Sequence, residues 1–548
     1  MGCRNVKEDA PLEWRAPSNE AITGSTGNLP TKVCFVMYRR SFSFGLASLG
    51  PLLATGTAFA AAPQRGGKLS IVLQLTTASL DPIYANTGTT DPKFYNLFAE
   101  RLIYQGKDLE FVPWLAESWE YQKDDTVLVF KLRRDVKFQD GTPMDAEAVK
   151  YSLDRLGDPA LKATVASRAT EIASIDVVDP YTVRINLKTR SGRILATLAD
   201  TPGAILSPTA IKERGADFRR SPVGTGPFIV DSWSGNKFTF KRNPNYWRMG
   251  SDGKPMPYID SVEINVNPNS AVRLVELGSG NAQIIDGLQP KDFPQIEKNA
   301  KVQFIESGVG VHQHLCFNVT KPPFDNIELR KAIALGIDRV ALAKVIAPNV
   351  GRALSGFETE GDGWVYDGTV KGHVFDKAKA KEAYEKSGYK GPPLVMSLIQ
   401  RDPDTQVAQM IQSMLKSIGI EIKIEVLERQ AYADKVVNHR NEFALQIFSH
   451  NTSDPDTTYT NLYDKKGYYD LSGFDREGTT KQVEQARTLT DRVARRKIYN
   501  ELDQWALDNY YFSWLYWYPN RAAASKRLQD LRLSATGTWM YDTVWMAS

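Results

Sequence analysis

Five histidines and, beyond the first 60 residues, one cysteine are the strongest metal or nucleophile candidates in this 548-residue sequence. The histidines are His312, His314, His373, His439 and His450, and none stands in a His-Glu-x-x-His zinc arrangement. His312, His314 and Cys316 alternate with period two, so on a strand they share one face, a donor set of the kind that suits zinc or nickel. The spacing is short, however, and satisfied polar groups at a strand edge or cleft wall are the preferred reading. No metal site, catalytic residue or cofactor is assigned. No Gly-x-Ser-x-Gly elbow is present, and the glycine pairs in "SGVGVH" and "VGTGPF" lack the dinucleotide fingerprint. Asp454 and Asp456 are right in type for glycosidase chemistry, but Asp-Pro-Asp after an apolar run reads more simply as a turn.

That turn ends "FSHNTSDPDTTY" (Phe448 to Tyr459), which passes abruptly from apolar to polar and places Asn451 three residues before Asp454. The elements around it have an α/β texture. "LVMSLIQ" reads as a strand. "DTQVAQMIQSMLKSIG" carries Val407, Met410, Ile411, Met414, Leu415 and Ile418 on one helical face and stops at Gly419, and "IEIKIEVL" alternates as a second strand. A strand, helix and strand within about 35 residues form a βαβ unit, whose strands are parallel. "EFALQIF" supplies a further strand, so Asn451 and Arg401 both follow strand ends, where ligand crevices lie in parallel sheets.

The first half has a different texture. Lys68 to Leu75 reads as a buried strand, and "FYNLFAERLIY" spaces Phe94, Leu97, Phe98 and Leu102 as one face of a helix. Hairpins are expected around Lys123-Asp124-Asp125 and Asp179-Pro180, with a helix capped by Asp145 between them. Strand-rich text resumes over 224–308, including a helix closed by glycine at "AVRLVELGSG".

The amino terminus is an export signal by pattern. Arg39-Arg40 precede an apolar stretch, broken by glycines and Pro51, that ends at Ala58-Phe59-Ala60. Arg39-Arg40-Ser41-Phe42 fits a twin-arginine core, and the twin-arginine and general secretion routes both stay open. Residues 1–36 read as an upstream extension, with Met37 the expected initiator. Net charge is +4, with acids and bases interspersed, so nucleic acid is not an expected partner. Cleavage after Ala60 leaves Cys316 alone and no internal disulfide.

Seven stretches in order resemble the solute-binding proteins of peptide/nickel-type ABC transporters, family 5. They are "SLDP" (from Ser79), "VPWLAESWE" (from Val112), "VKFQDGTPMDAEAVKYSLDR" (from Val136), "VGTGPFIV" (from Val223), "NPNYWR" (from Asn243), "FNVTKPPFDNIELRKAIALGIDR" (from Phe317) and "IQSMLKSIGIEIKIE" (from Ile411). The resemblance spans residues 66–545. It implies a two-lobed periplasmic-binding-protein fold of type II in its large three-domain form. The expected division is a signal at 37–60, a discontinuous first domain at 61–104, 223–308 and 519–548, an inserted domain at 105–222, and a third domain at 309–518. A periplasmic monomer is expected, capturing a small peptide-like or sugar-like molecule for ABC permease subunits in the inner membrane.

In peptide-binding relatives the loop after the corresponding strand carries an aspartate that pairs with the ligand's ammonium. Asn451 stands there in this chain. A hydrogen bond between charged partners is worth about 1.5–3 kcal/mol against about 1 for a neutral one, so the exchange lowers affinity for a free amine roughly tenfold. Asp454, Asp456 or Glu428 are alternative sources of negative charge. A short peptide or amino-acid conjugate leads, with an oligosaccharide, an opine or a metal chelate as alternatives. The candidate ligand residues are His450, Asn451, Thr452, Trp364, Tyr84, His312 and Arg401.

Overall fold

The computed structural model describes residues 62–548 apart from 86–89, 107–108, 355, 358–359, 402, 438–439, 450–453, 466–471, 475–476 and 535. The extension and signal expected within 1–60 lie outside the described residues. Among the described residues no helix is long and apolar enough to cross a membrane.

Strand β1 (Lys68–Leu73) forms as expected, every residue after Lys68 being buried. Strands β2 (Ala116–Gln122) and β3 (Val127–Leu132) make the first hairpin, with Lys123, Asp124 and Asp125 all at positive φ in the turn. Helix α1 (Ala146–Gly157) starts where Asp145 accepts the Ala148 N–H at 2.9 Å, pairing one donor that the helix itself leaves open. Strands β4 (Ile172–Asp179) and β5 (Thr182–Leu187) complete a four-stranded antiparallel sheet in the order β2-β3-β5-β4.

The main sheet has eleven strands. Its remaining members are β6 (Phe228–Ser234), β7 (Lys237–Arg242), β8 (Ser261–Val266), β9 (Ile284–Ile285), β10 (Val302–Phe317), β11 (Arg352–Ala353), β12 (Leu394–Ile399), β13 (Ile422–Leu427), β14 (Phe443–Ser449) and β15 (Phe512–Ser525). The order is β6-β7-β8-β1-β9-β15-β10-β14-β12-β13, with β11 beside β15. Helix α2 (Ser270–Ser279) ends at Gly280, whose φ of 85° suits glycine. Helix α3 (Asp404–Lys416) crosses between the parallel strands β12 and β13 and buries Val407, Ala408, Ile411 and Leu415. Helices α4 (Asp456–Tyr463), α5 (Glu477–Thr488) and α6 (Arg492–Asp508) cover the other part of the second half.

One expectation fails. The helix expected over Phe94–Tyr104 ends at Tyr95, and Glu100–Arg101 and Ile103–Gln105 are short strands. The Phe98 and Leu97 carbonyls accept the N–H groups of Gly226 and Phe228 at 2.9 and 2.8 Å, so the chain is drawn into pairing with a distant strand. Every residue from Phe94 to Gln105 is buried, and a segment buried on all sides gives helical spacing no preferred face.

Hydrophobic packing is divided. A first core gathers side chains between Leu69 and Ile284 together with Ala522–Val544, while a second and a third lie wholly between Leu315 and Tyr518. Strands β10 and β15 run side by side through both regions, from Val302↔Ser525 to Cys316↔Phe512, with their ladder interrupted between Glu306 and Gly310. This is a two-lobed α/β fold.

Candidate functional site

Strands β12 and β14 are parallel neighbours, Met396 opposite Phe443 and Ser397 opposite Ala444, so Arg401 follows β12 at the end of the sheet where β14 finishes at Ser449. The Arg401 guanidinium is fixed by Asp404 in the first turn of α3, donating from Nε at 3.2 Å and from Nη2 at 2.7 Å to the same carboxylate oxygen. Asp404 is fully buried, whereas the Arg401 side chain keeps 38% of its surface exposed. Its third nitrogen, Nη1, donates to no described residue. A guanidinium held along one edge and open along the other is suited to a carboxylate, since its donors form a rigid planar fork.

His312 lies opposite Phe448 in the β10–β14 ladder, at the same end of the sheet. Its side chain is fully buried and packs on Phe357, ring centroids 5.0 Å apart. Paired on its other side with Trp517 of β15, it stands inside the sheet and not at a strand edge. His314 packs on Trp514 at 4.4 Å, and burial, with His312 close by, depresses its imidazolium to about 3. Burial pushes the Cys316 thiol up to about 12. The imidazole of His314 and the thiol of Cys316 are neutral near pH 7, and no group of three or more His, Cys, Asp or Glu side chains among the described residues is placed to hold a metal. The shared strand face is that of a core.

Asp454 and Asp456 open α4, and both carboxylates are committed. Arg495 of α6 grips Asp454 in a bidentate pair, one arm at 2.8 Å. Asp456, with no exposed surface, accepts from Arg193 at 2.8 Å and from Arg487 of α5 at 3.2 Å. Arg193 also donates to Glu171 at 2.5 Å, and Arg487 to the Thr460 hydroxyl at 2.7 Å. The carboxylates push the Arg193 and Arg495 guanidinium groups above their ordinary value, against the opposing effect of burial. Negative charge expected from Asp454 or Asp456 toward a ligand is thus neutralised by arginines.

Trp364 is brought to this network, its ring lying 5.2 Å from the Arg495 guanidinium and 5.6 Å from that of Arg492. Tyr84 packs elsewhere, in the first core, with the Arg219 guanidinium 3.6 Å above its ring. His450, Asn451 and Thr452 lie outside the described residues. Glu171, Arg193, Arg487 and Arg495 were not singled out by the sequence. Arginines in polar helical text read as solvated, and the one available signal was that an Asp-Pro-Asp turn entering a buried helix needs counter-charges.

Two packed lobes are traversed by a pair of strands, with a half-open guanidinium at the strand ends. Residues 110–470 match the family described as bacterial extracellular solute-binding proteins, family 5. The glutathione-binding protein GsiB of Escherichia coli (strain K12) is 30% identical over 410 residues, spanning 73% of this chain and 77% of that protein. The fold is similar to that of DppA from Helicobacter pylori in complex with the peptide STSA, at 23% identity and a TM-score of 0.74, covering 88% of this chain and 99% of that one. It is also similar to AgaA from A. tumefaciens R10 in complex with agropinic acid, at 25% identity and a TM-score of 0.73, again covering 88% and 99%. The chain belongs to family 5 of the bacterial extracellular solute-binding proteins.

Proposed function

We propose that this protein captures a small, carboxylate-bearing amino-acid conjugate or short peptide between its lobes in the periplasm and hands it to the permease of an ABC importer. The observation that carries the ligand class is Arg401, anchored by buried Asp404 and open on one edge at the mouth of the parallel strands. The relatives fit this class, since one is named for glutathione and others were solved with a peptide and with agropinic acid. Asn451, at the position that carries the ammonium-pairing aspartate in peptide-binding relatives, would offer a neutral amide with both a donor and an acceptor. That favours ligands whose amine is masked or conjugated over simple dipeptides. Export through the 37–60 signal, action as a monomer, and the inserted-domain division given above belong to the same reading. Binding then needs no covalent chemistry, because a solute that touches both lobes shifts the population toward the closed form by its extra contacts there.

Isothermal calorimetry on the mature chain tests this with glutathione, agropinic acid and an unmodified dipeptide. Saturable binding of a conjugate, weaker binding of the dipeptide, and a loss of roughly 10- to 100-fold in Arg401→Ala are expected, the worth of a charged hydrogen bond. Unchanged affinity in Arg401→Ala refutes the assigned role.

A further inference from the structure

One close approach between the two packed regions is made by a glycine. Gly192 follows β5 in the lobe of the first core, and its N–H donates to the carbonyl of Arg487, at the end of α5 in the other lobe, at 2.8 Å. Its own carbonyl accepts from Arg495 Nη1 at 3.2 Å. The three atoms nearest to where a side-chain carbon on Gly192 would stand all belong to Leu489 and Arg495, and the Leu489 carbonyl lies too close for any carbon to fit. The backbone conformation at 192 is not left-handed, so the need for glycine comes from the neighbour and not from φ.

The next residue continues the contact. Arg193 spans the junction, with Glu171 of its own lobe at 2.5 Å and Asp456 of the other at 2.8 Å. Arg487 returns the contact to Asp456, with Glu171 4.0 Å away. Arg193, Glu171 and Asp456 are buried and Arg487 is partly so, and a charge removed from water is tolerated only while its partners are in place. Any movement that parts the lobes would separate Arg193 from Asp456 and expose both to water. The contact therefore belongs to one arrangement of the lobes.

We propose that Gly192-Arg193 is an interlobe clasp, a positioning element that fixes how far the lobes close. Glycine lets the backbones meet, and Arg193 locks them through Asp456. The proposal stands on the two-lobed architecture and does not depend on which solute is bound.

Double electron–electron resonance on the mature chain reads the closure directly. Spin labels go on Lys150→Cys in α1, partly exposed, and Lys386→Cys in the helix Lys377–Ser387, exposed, one in each lobe, with Cys316 buried and out of reach. Distances are recorded without ligand and with glutathione. Gly192→Ala and Arg193→Ala are each expected to lower the ratio of short to long interlobe distances at least about tenfold. Arg193→Lys keeps the charge opposite Asp456 and is expected to restore part of that ratio, which a purely structural loss would not allow. A ratio unchanged from the parent protein in both conditions, for Gly192→Ala and Arg193→Ala alike, overturns the clasp. Failure of glutathione to bind by calorimetry, with the ligand-free ratio still falling in Gly192→Ala, removes the ligand reading and leaves the clasp intact.

Discussion

Asp503 is the residue whose titration the fold controls most plainly. It is buried in α6 and accepts the hydroxyls of Tyr459 at 3.0 Å and Tyr463 at 2.7 Å, both from α4. Burial raises its carboxyl from 3.8 to about 6, outweighing the two tyrosine hydrogen bonds. A carboxyl raised on folding favours the protonated form, so its stabilising contribution is complete below about pH 4 and is lost as pH climbs through about 6. The shift of about two units corresponds to roughly 3 kcal/mol. Asp503→Asn keeps an acceptor and donors for the two tyrosines but does not titrate. Urea unfolding at pH 4 and pH 7 is expected to show the parent protein losing stability relative to the variant by up to that amount, and parallel behaviour would refute it. Residues of this kind were invisible in the sequence. An aspartate in "YNELDQWALD" reads as solvent-facing, and only the packing of two tyrosines from another helix makes it a buried acid.

Elements were legible where the cause of folding is local. Asp145 could be read as a cap because its carboxylate satisfies a donor three residues on, and Asp145→Ala is expected to cost about 1 kcal/mol, with a matching fall in the urea midpoint. An unchanged midpoint would show that α1 is held by packing alone. The β12–α3–β13 crossover was equally legible, since a helical stripe between two alternating runs has few other solutions. The segment Phe94–Tyr104 was misread because its partners lie at Gly226 and Phe228, more than a hundred residues away, and long-range pairing leaves no periodic trace. The candidate ligand residues divide in the same way. Arg401 follows a strand end, as its place after an apolar run implies, while His312 shares that end of the sheet and is packed under Phe357. Strand position tells which end of the sheet a residue occupies, but which face is covered depends on elements distant in sequence.

At the scale of the whole molecule, the sequence pointed to two lobes through its changes of texture and its ordered family motifs. It did not show what joins them. The structure supplies two long strands running through both lobes and a polar, arginine-rich junction between separate apolar cores. Polar junctions between apolar cores suit parts that must come together and separate, because neither surface pays a large hydrophobic penalty when exposed. The central claim, that these lobes shut on a carboxylate-bearing solute, is tested most directly by small-angle X-ray scattering of the mature chain titrated with glutathione, agropinic acid and short peptides. A saturable fall in radius of gyration with at least one of them, weakened in Arg401→Ala, is the predicted result. A radius that stays constant across all of them would contradict it.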